Sequence, residues 1–421
     1  MKKVMFILIV IALSFASAFS MGRVGQVPSV SIPQDIERGR VYYIVRVDAR
    51  VEALPHIIRR LNLDVMGNYQ GYLYLLLRAS EVRALYASHI PYQFVSIERE
   101  KVSLPKERRV RAQAANGPYH SYLEVQKELS DLEKDYPGIV KLYDIGDSVE
   151  GRDILAVKIS DNVATEEDDE VDCFFVGCHH AREWISVEVP LMLARYLAEH
   201  YSDNREIKDV VDNSEIWIVP LLNPDGLEYT INVFRWWRKN RRDNGNGLFG
   251  VDLNRNYDFM WGIDDIGSSP NPASNVYRGP SPLSEPESQA VAQLFTSHNF
   301  RVALTYHSYA QVILYPWGYT VEPTPDYRLF SFLGDTMASL MSAVHGRWYY
   351  AVPGGSGFYF TNGEFTDWAY GKYGTLAFTV ELPPVSLMQG GFINADSDIT
   401  SIFEENLPAA LYLIKWAIAN K

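Results

Sequence analysis

Apolar positions along the chain repeat with two different periods, and the period changes mark the elements. VYYIVRV (41–47) and YLYLLLR (72–78) are short runs rich in β-branched and aromatic residues, which predict strands. VEALPHIIRRLNL (51–63) and SEVRALYASH (80–89) space their apolar residues by three and four, which predicts helices. DVMGNYQ (64–70) and YQFVSI (92–97) read as weaker strands. The order strand, helix, strand, strand, helix, strand over about Val41 to Glu98 is that of a small α+β ferredoxin-like module.

From about Gly117 the pattern changes. Helical stretches such as SYLEVQKELSDLEKDY (121–136) and EVPLMLARYLAEHY (188–201) alternate with apolar runs. Those runs are VDCFFVGC (171–178), EIWIVPLLN (215–223), RVALTYHS (301–308) and TLAFTVEL (375–382). Strands alternating with helices predict an α/β domain, an α/β/α sandwich around a twisted, mixed and largely parallel sheet. The chain shows no internal repeat.

Residues 99–116 join the two regions. They are basic, contain a proline and lack apolar periodicity. Exposed segments of this kind are preferred sites of proteolytic nicking. Arg108, Arg109 and Arg111 are the targets for a protease that cuts after basic residues, and the plainer alternative is a solvated linker. At the N-terminus, Lys2 and Lys3 precede an apolar run from Val4 to Ala16 and an Ala16-Ser17-Ala18 cleavage pattern. This predicts a signal peptide over 1–18 and export to an extracellular or periplasmic space. The run is short of the about 20 residues that a membrane span needs, so no anchor is expected after cleavage.

Composition narrows the class further. The net charge of −13 disfavours nucleic acid as a partner. The only cysteines, Cys173 and Cys178, lie five residues apart in one apolar run. An odd separation along a strand sends two side chains to opposite faces, so no disulfide is expected between them.

The candidate chemistry begins where the VDCFFVGC run ends. His180 and Glu183 form an H-x-x-E pair in GCHHAREW, and imidazole and carboxylate are both zinc ligands. The pair alone is a weak signal. His307, at the end of RVALTYHS, is a candidate third ligand, with a satisfied core histidine as the alternative. Adjacent His179 is expected to turn outward and not to be a ligand. FRWWRKNRR supplies Arg235 and Arg238, and VDLNRNYD supplies Asp252, Asn254 and Arg255. Glu381 closes an apolar strand. A carboxylate there needs a partner or a task, such as that of a general base.

These motifs, in this order, resemble the zinc metallocarboxypeptidases of the carboxypeptidase A and B type, and most closely their bacterial carboxypeptidase T branch. The likeness runs from about Tyr119 to Lys421 through YPGIV, HHAREW, NPDGLEY, DLNRNYD, GEFTDWAYG and FTVEL. It implies a precursor with a signal peptide (1–18), a propeptide (19–111) and a catalytic domain (112–421). It implies one Zn2+ on His180, Glu183 and His307, with Asp252 orienting His180. It implies Glu381 as general base and Arg238 as the cation that stabilises the oxyanion. Asn254, Arg255 and Tyr359 would hold the terminal carboxylate of a peptide, and Arg182 would make a further substrate contact. The neighbours of Arg238 in WRKNRR are expected to be solvated.

The resemblance also maps a side-chain pocket onto Leu314, Gly318, Gly354, Phe358, Thr361, Glu364, Thr366 and Thr379. Uncharged Thr366 at its floor implies acceptance of apolar and aromatic residues. Glu364 either reaches into the pocket to meet Lys or Arg or points to solvent at a turn. The acidic run Glu166 to Asp172 aligns with a Ca2+-binding loop of the branch, with a solvated loop as the plain alternative. A monomer acting on peptide and protein C-termini is implied. The rival readings are a cell-wall peptidase or amidohydrolase on the same scaffold, and a non-catalytic peptide-binding relative.

Overall fold

The computed structural model describes residues 41–61, 63–100 and 116–421. The expected signal peptide, the residues up to 40 and the Arg108–Arg111 cleavage stretch lie outside the described residues. The described chain forms two compact units, which divide at Glu98 and Arg99.

The first unit contains the six expected elements in the expected order. They are β1 (Val41–Asp48), α1 (Leu54–Leu61), β2 (Asp64–Tyr69), β3 (Tyr72–Arg78), α2 (Ala79–Ala87) and β4 (Gln93–Arg99). The sheet order is β2-β3-β1-β4, with β3 antiparallel to both β1 and β2. Alternation along β1 and β3 turns Val45, Val47, Leu75 and Leu77 to one face, where Leu54 of α1 and Leu85 of α2 cover them.

The second unit begins with α3 (Tyr122–Asp135), β5 (Val140–Asp147), β6 (Asp153–Ile159) and β7 (Val171–Gly177). Next come α4 (Ile185–His200), α5 (Arg205–Val211), β8 (Ser214–Val219) and α6 (Pro224–Asn232). Then follow α7 (Pro286–Ser297), β9 (Phe300–Ser308), β10 (Val312–Tyr315), α8 (Tyr327–His345) and β11 (Tyr350–Pro353). The unit ends with α9 (Phe365–Tyr373), β12 (Leu376–Leu382) and α10 (Asp398–Ala419). Ser121 starts α3 with a capping box, its N–H donating to Glu124 at 2.8 Å.

The eight strands form one sheet in the order β11-β10-β12-β9-β7-β8-β6-β5. Its centre, β12-β9-β7-β8, is parallel throughout. The antiparallel pairings lie outside that centre, at β10–β12, β8–β6 and β6–β5. The sheet is therefore mixed with a parallel core, as the alternating pattern predicts. Successive residues of β7 serve opposite faces: Cys173 and Phe175 pack with α3, α4, α8 and α10. Phe174 and Val176 pack with α7 and α9. Helices on both faces complete the α/β/α sandwich.

One turn in this frame decides where the chemistry sits. β7 ends at Gly177, where a Cβ would lie 2.0 Å from the Ser186 carbonyl oxygen. Glycine lets the first turn of α4 press onto the strand end, and it leaves His180 and Glu183 in the tight connection. The same turn corrects the expectation for the cysteines. Cys178 lies beyond the strand at φ 58°, so alternation no longer applies to it. Both cysteines are buried in the same core cluster rather than on opposite faces, and both are free.

Candidate active site

Three side chains converge at the C-terminal ends of β7 and β9. Nδ1 of His180 lies 2.9 Å from Oε1 of Glu183. Nδ1 of His307 lies 3.0 Å from Nδ1 of His180 and 3.1 Å from Oε2 of Glu183. All three residues are buried. Two imidazole nitrogens and a carboxylate aimed at one point gain most from a cation between them. Nitrogen and oxygen donors of this kind would fit zinc.

Asp252 ties this cluster to the neighbouring loop. Its Oδ1 lies 3.1 Å from Nε2 of His180 and accepts the Asn254 N–H at 3.0 Å. Its Oδ2 accepts Nε and Nη2 of Arg238 at 3.0 and 2.9 Å. Burial opposes its charge, but Arg238 and His180 overcome that and hold the carboxyl well below the usual carboxylate range. Nη1 of Arg238 also comes within 3.8 Å of Glu183.

Glu381 stands on β12 in register with His307 on the adjacent parallel strand. Burial, then the nearby Glu183 charge, pushes its carboxyl up to about 8. A bound dication would draw this value down towards the range of a working base at neutral pH.

Asn254 and Arg255 lie on the short 3-10 turn Leu253–Arg255 that Asp252 caps. Arg255 is buried, donating from Nε to the Gly267 carbonyl at 2.7 Å and from Nη1 to the Asn254 carbonyl at 2.6 Å. The Asn254 amide oxygen accepts the Phe365 N–H at 2.9 Å. Tyr359, 46% exposed, packs against Phe358 with the ring centroids 4.8 Å apart and the planes tilted by 39°. Arg182 is buried with its guanidinium 4.3 Å from the Phe392 ring centroid. The side chain of Glu364 turns in rather than out. It accepts a hydrogen bond from Thr366 at 3.0 Å, and a Cβ on Gly318 would meet its Oε1 at 2.5 Å. Leu314 pairs with Thr379 across β10 and β12, and Gly354 packs on Gly318.

Two expectations need correction. His179 does not turn outward: it is buried, with Nε2 2.8 Å from the Tyr257 hydroxyl and Nδ1 3.1 Å from Oγ1 of Thr305. Burial drives its pKa well below the usual histidine range. The basic neighbours of Arg238 are not solvated either. Lys239 is buried and donates to the Pro272 carbonyl, Arg241 lies 3.7 Å from the Tyr229 ring centroid, and Arg242 pairs with Glu285 at 2.9 Å. Aromatic faces and a buried carboxylate draw these cations in.

Sequence reasoning missed Asp367. It is fully buried and accepts the Gly318 N–H at 2.9 and 3.0 Å and the Tyr319 N–H at 3.2 Å. It thereby pins the turn that carries Gly318. Its place in GEFTDW, beside Glu364 and Thr366, was the available signal.

The acidic run is only partly solvated. Lys158 reaches Glu166 at 3.0 Å and buried Glu215 at 2.8 Å. Asp161, Glu167 and Glu170 bring carboxylate oxygens within 4.8 Å of one another.

Comparison with known proteins fixes the class. The family model for zinc carboxypeptidases matches residues 125–409. The chain belongs to the zinc carboxypeptidase family. Carboxypeptidase B of Astacus astacus is 35% identical over 292 residues, which cover 68% of this chain and 93% of that protein. A zinc carboxypeptidase of Saccharothrix mutabilis subsp. capreolus is 34% identical over 306 residues, covering 68% of this chain and 67% of that one. Among solved structures, carboxypeptidase A from Helicoverpa armigera has a TM-score of 0.74 at 26% identity, covering 91% of this chain and 98% of that one. This zinc carboxypeptidase is therefore an exopeptidase of the hydrolase class that acts on peptide C-termini. Among the described residues no helix is long and apolar enough to cross a membrane.

Proposed function

We propose that this zinc carboxypeptidase is a secreted enzyme, made as a zymogen, that releases single residues of broad type from peptide C-termini. The observation that carries the reading is the convergence of His180, Glu183 and His307 within 4.8 Å of one another, with Glu381 on the next strand. In this reading His180, Glu183 and His307 hold one Zn2+, which supplies Lewis-acid polarisation of a carbonyl and acidifies water. Glu381 takes the proton of the attacking water and passes it to the departing amine. Arg238 faces the oxygen on which negative charge develops.

Arg255 and Asn254 hold the free terminal carboxylate, Tyr359 closes over it and Arg182 contacts the chain before it. The geometry of a guanidinium matches a carboxylate with two parallel hydrogen bonds. A mid-chain residue leaves this buried cation without its partner, which favours exopeptidase cleavage over cleavage within a chain. The inward turn of Glu364 supports acceptance of Lys and Arg beside the apolar residues that Thr366 admits. The Asp161, Glu167 and Glu170 oxygens support a calcium ion on the acidic loop, since calcium takes oxygen ligands. The export signal and the basic Arg108–Arg111 stretch support secretion and activation by an external protease. The active form is a monomer in this reading.

The test compares one peptide with a free and with an amidated C-terminus, before and after chelation. Release of the terminal residue from the free peptide alone, abolished by chelator and restored by zinc, is expected. Equal cleavage of both peptides, or turnover indifferent to chelation, sinks the reading.

A further inference from the structure

His180 has Asp252 behind it, and His307 has a different backing. With its Nδ1 turned to His180 and Glu183, its Nε2 faces the other way, 3.1 Å from Oγ1 of Thr305. Thr305 and His307 are two residues apart on β9 and so share a face. The same Oγ1 lies 3.1 Å from Nδ1 of His179, whose Nε2 lies 2.8 Å from the Tyr257 hydroxyl. Thr305, His179 and Tyr257 have no exposed surface. The rings of His179 and His307 are nearly parallel, at 19°.

Counting donors and acceptors gives this buried line a direction. That direction follows from the proposed reading in which His307 binds zinc. A ligating nitrogen must be bare, so Nε2 of His307 carries the ring proton. Its acceptor is Oγ1 of Thr305. A hydroxyl has one proton to give, and the remaining close acceptor is Nδ1 of His179. A neutral imidazole that accepts at Nδ1 donates from Nε2, and the Tyr257 oxygen receives that bond. The opposite direction would place a proton on Nδ1 of His307, where the metal belongs. The Asn254 amide nitrogen also lies near Nε2 of His307, but at 3.5 Å it does not compete with the hydroxyl.

We infer that Thr305 and His179 are positioning residues that hold His307 in the tautomer and orientation presenting Nδ1 to zinc. They do for the third ligand what Asp252 does for the first, without adding a charge to the site. Tyr257 anchors the line two residues beyond Arg255, so it joins the metal ligand to the loop of the proposed carboxylate clamp.

The test measures the zinc dissociation constant of the full chain by competition with a chromophoric chelator. Thr305→Val and His179→Phe should each weaken zinc by about 10–100-fold. Thr305→Ser keeps the hydroxyl and should stay within about threefold of wild type. The double variant should be no weaker than the weaker single one, because both changes break the same line. Thermal unfolding of the metal-free proteins checks the fold. If Thr305→Val does not fold, Thr305→Ala against Thr305→Ser makes the same comparison. Wild-type affinity in both Thr305→Val and His179→Phe overturns the inference, as does a Thr305→Ser variant as weak as Thr305→Val. A wild-type chain that takes up no zinc overturns the parent reading, and this inference with it.

Discussion

His307 and Glu381 are direct neighbours in register on the parallel strands β9 and β12. Adjacent strands lie about 4.8 Å apart, so the sheet itself sets the proposed base beside the proposed ligand. Neither residue depends on a mobile loop for this placement.

The relationship separates metal binding from proton transfer. Glu381→Gln preserves shape and leaves the ligand set untouched. The variant should keep full zinc content by atomic absorption and lose about 10²–10⁴-fold in kcat. A Gln variant that turns over at near wild-type rate would remove Glu381 from the role of base.

The side-chain preference turns on Glu364. Its half-buried carboxylate accepts a hydrogen bond from Thr366 and lies against Gly318. Glu364→Gln should weaken release of C-terminal Arg by roughly 1–3 kcal/mol in kcat/KM while leaving C-terminal Leu nearly unaffected. Measuring both substrates on both proteins isolates the effect. An unchanged ratio of Leu to Arg leaves Thr366 as the determinant.

Much of this was legible in the sequence because period and motif report on local geometry. The six elements of the first unit followed from apolar spacing alone, and the strand ends carrying His180 and His307 followed from VDCFFVGC and RVALTYHS. What stayed hidden depends on contacts between distant segments. His179 looked like a spare neighbour because nothing local says that Thr305, 126 residues away, would meet its ring. Lys239 and Arg241 looked solvated because their partners lie on other segments, Pro272 on a later loop and Tyr229 on α6. Cys178 was misplaced by extending strand alternation one residue past Gly177, into a turn with positive φ.

Activation gives a third prediction. Limited digestion by a protease that cuts after basic residues should cleave within Arg108–Arg111 and raise activity towards a long peptide. Replacing Arg108, Arg109 and Arg111 together with Gln should block the cut and the gain. Equal activity of the intact and cut chains would argue against a zymogen.

The last prediction concerns pH and the entry to the catalytic fold. His120 bridges two carboxylates, with Nε2 2.9 Å from Glu128 of α3 and Nδ1 2.7 Å from Glu188 of α4. Its backbone N–H also donates to Glu188 at 2.8 Å. Burial opposes the imidazolium, but the hydrogen bonds to Glu128 and Glu188 outweigh it and raise the pKa to about 10. The folded state therefore holds this proton more tightly than the unfolded chain, whose histidine titrates near 6.5. The stabilisation is complete below about pH 6.5 and drains away as pH rises towards about 10, because there the folded state binds more protons than the unfolded one. His120→Gln removes the cation and leaves Glu188 without it, while Glu128 keeps Arg195. The variant should lose roughly 1–3 kcal/mol at pH 6 and far less at pH 10. Urea unfolding of both proteins at several pH values reads the difference directly. A gap between wild type and variant that is constant from pH 6 to 10 would show that His120 acts by packing and not by charge.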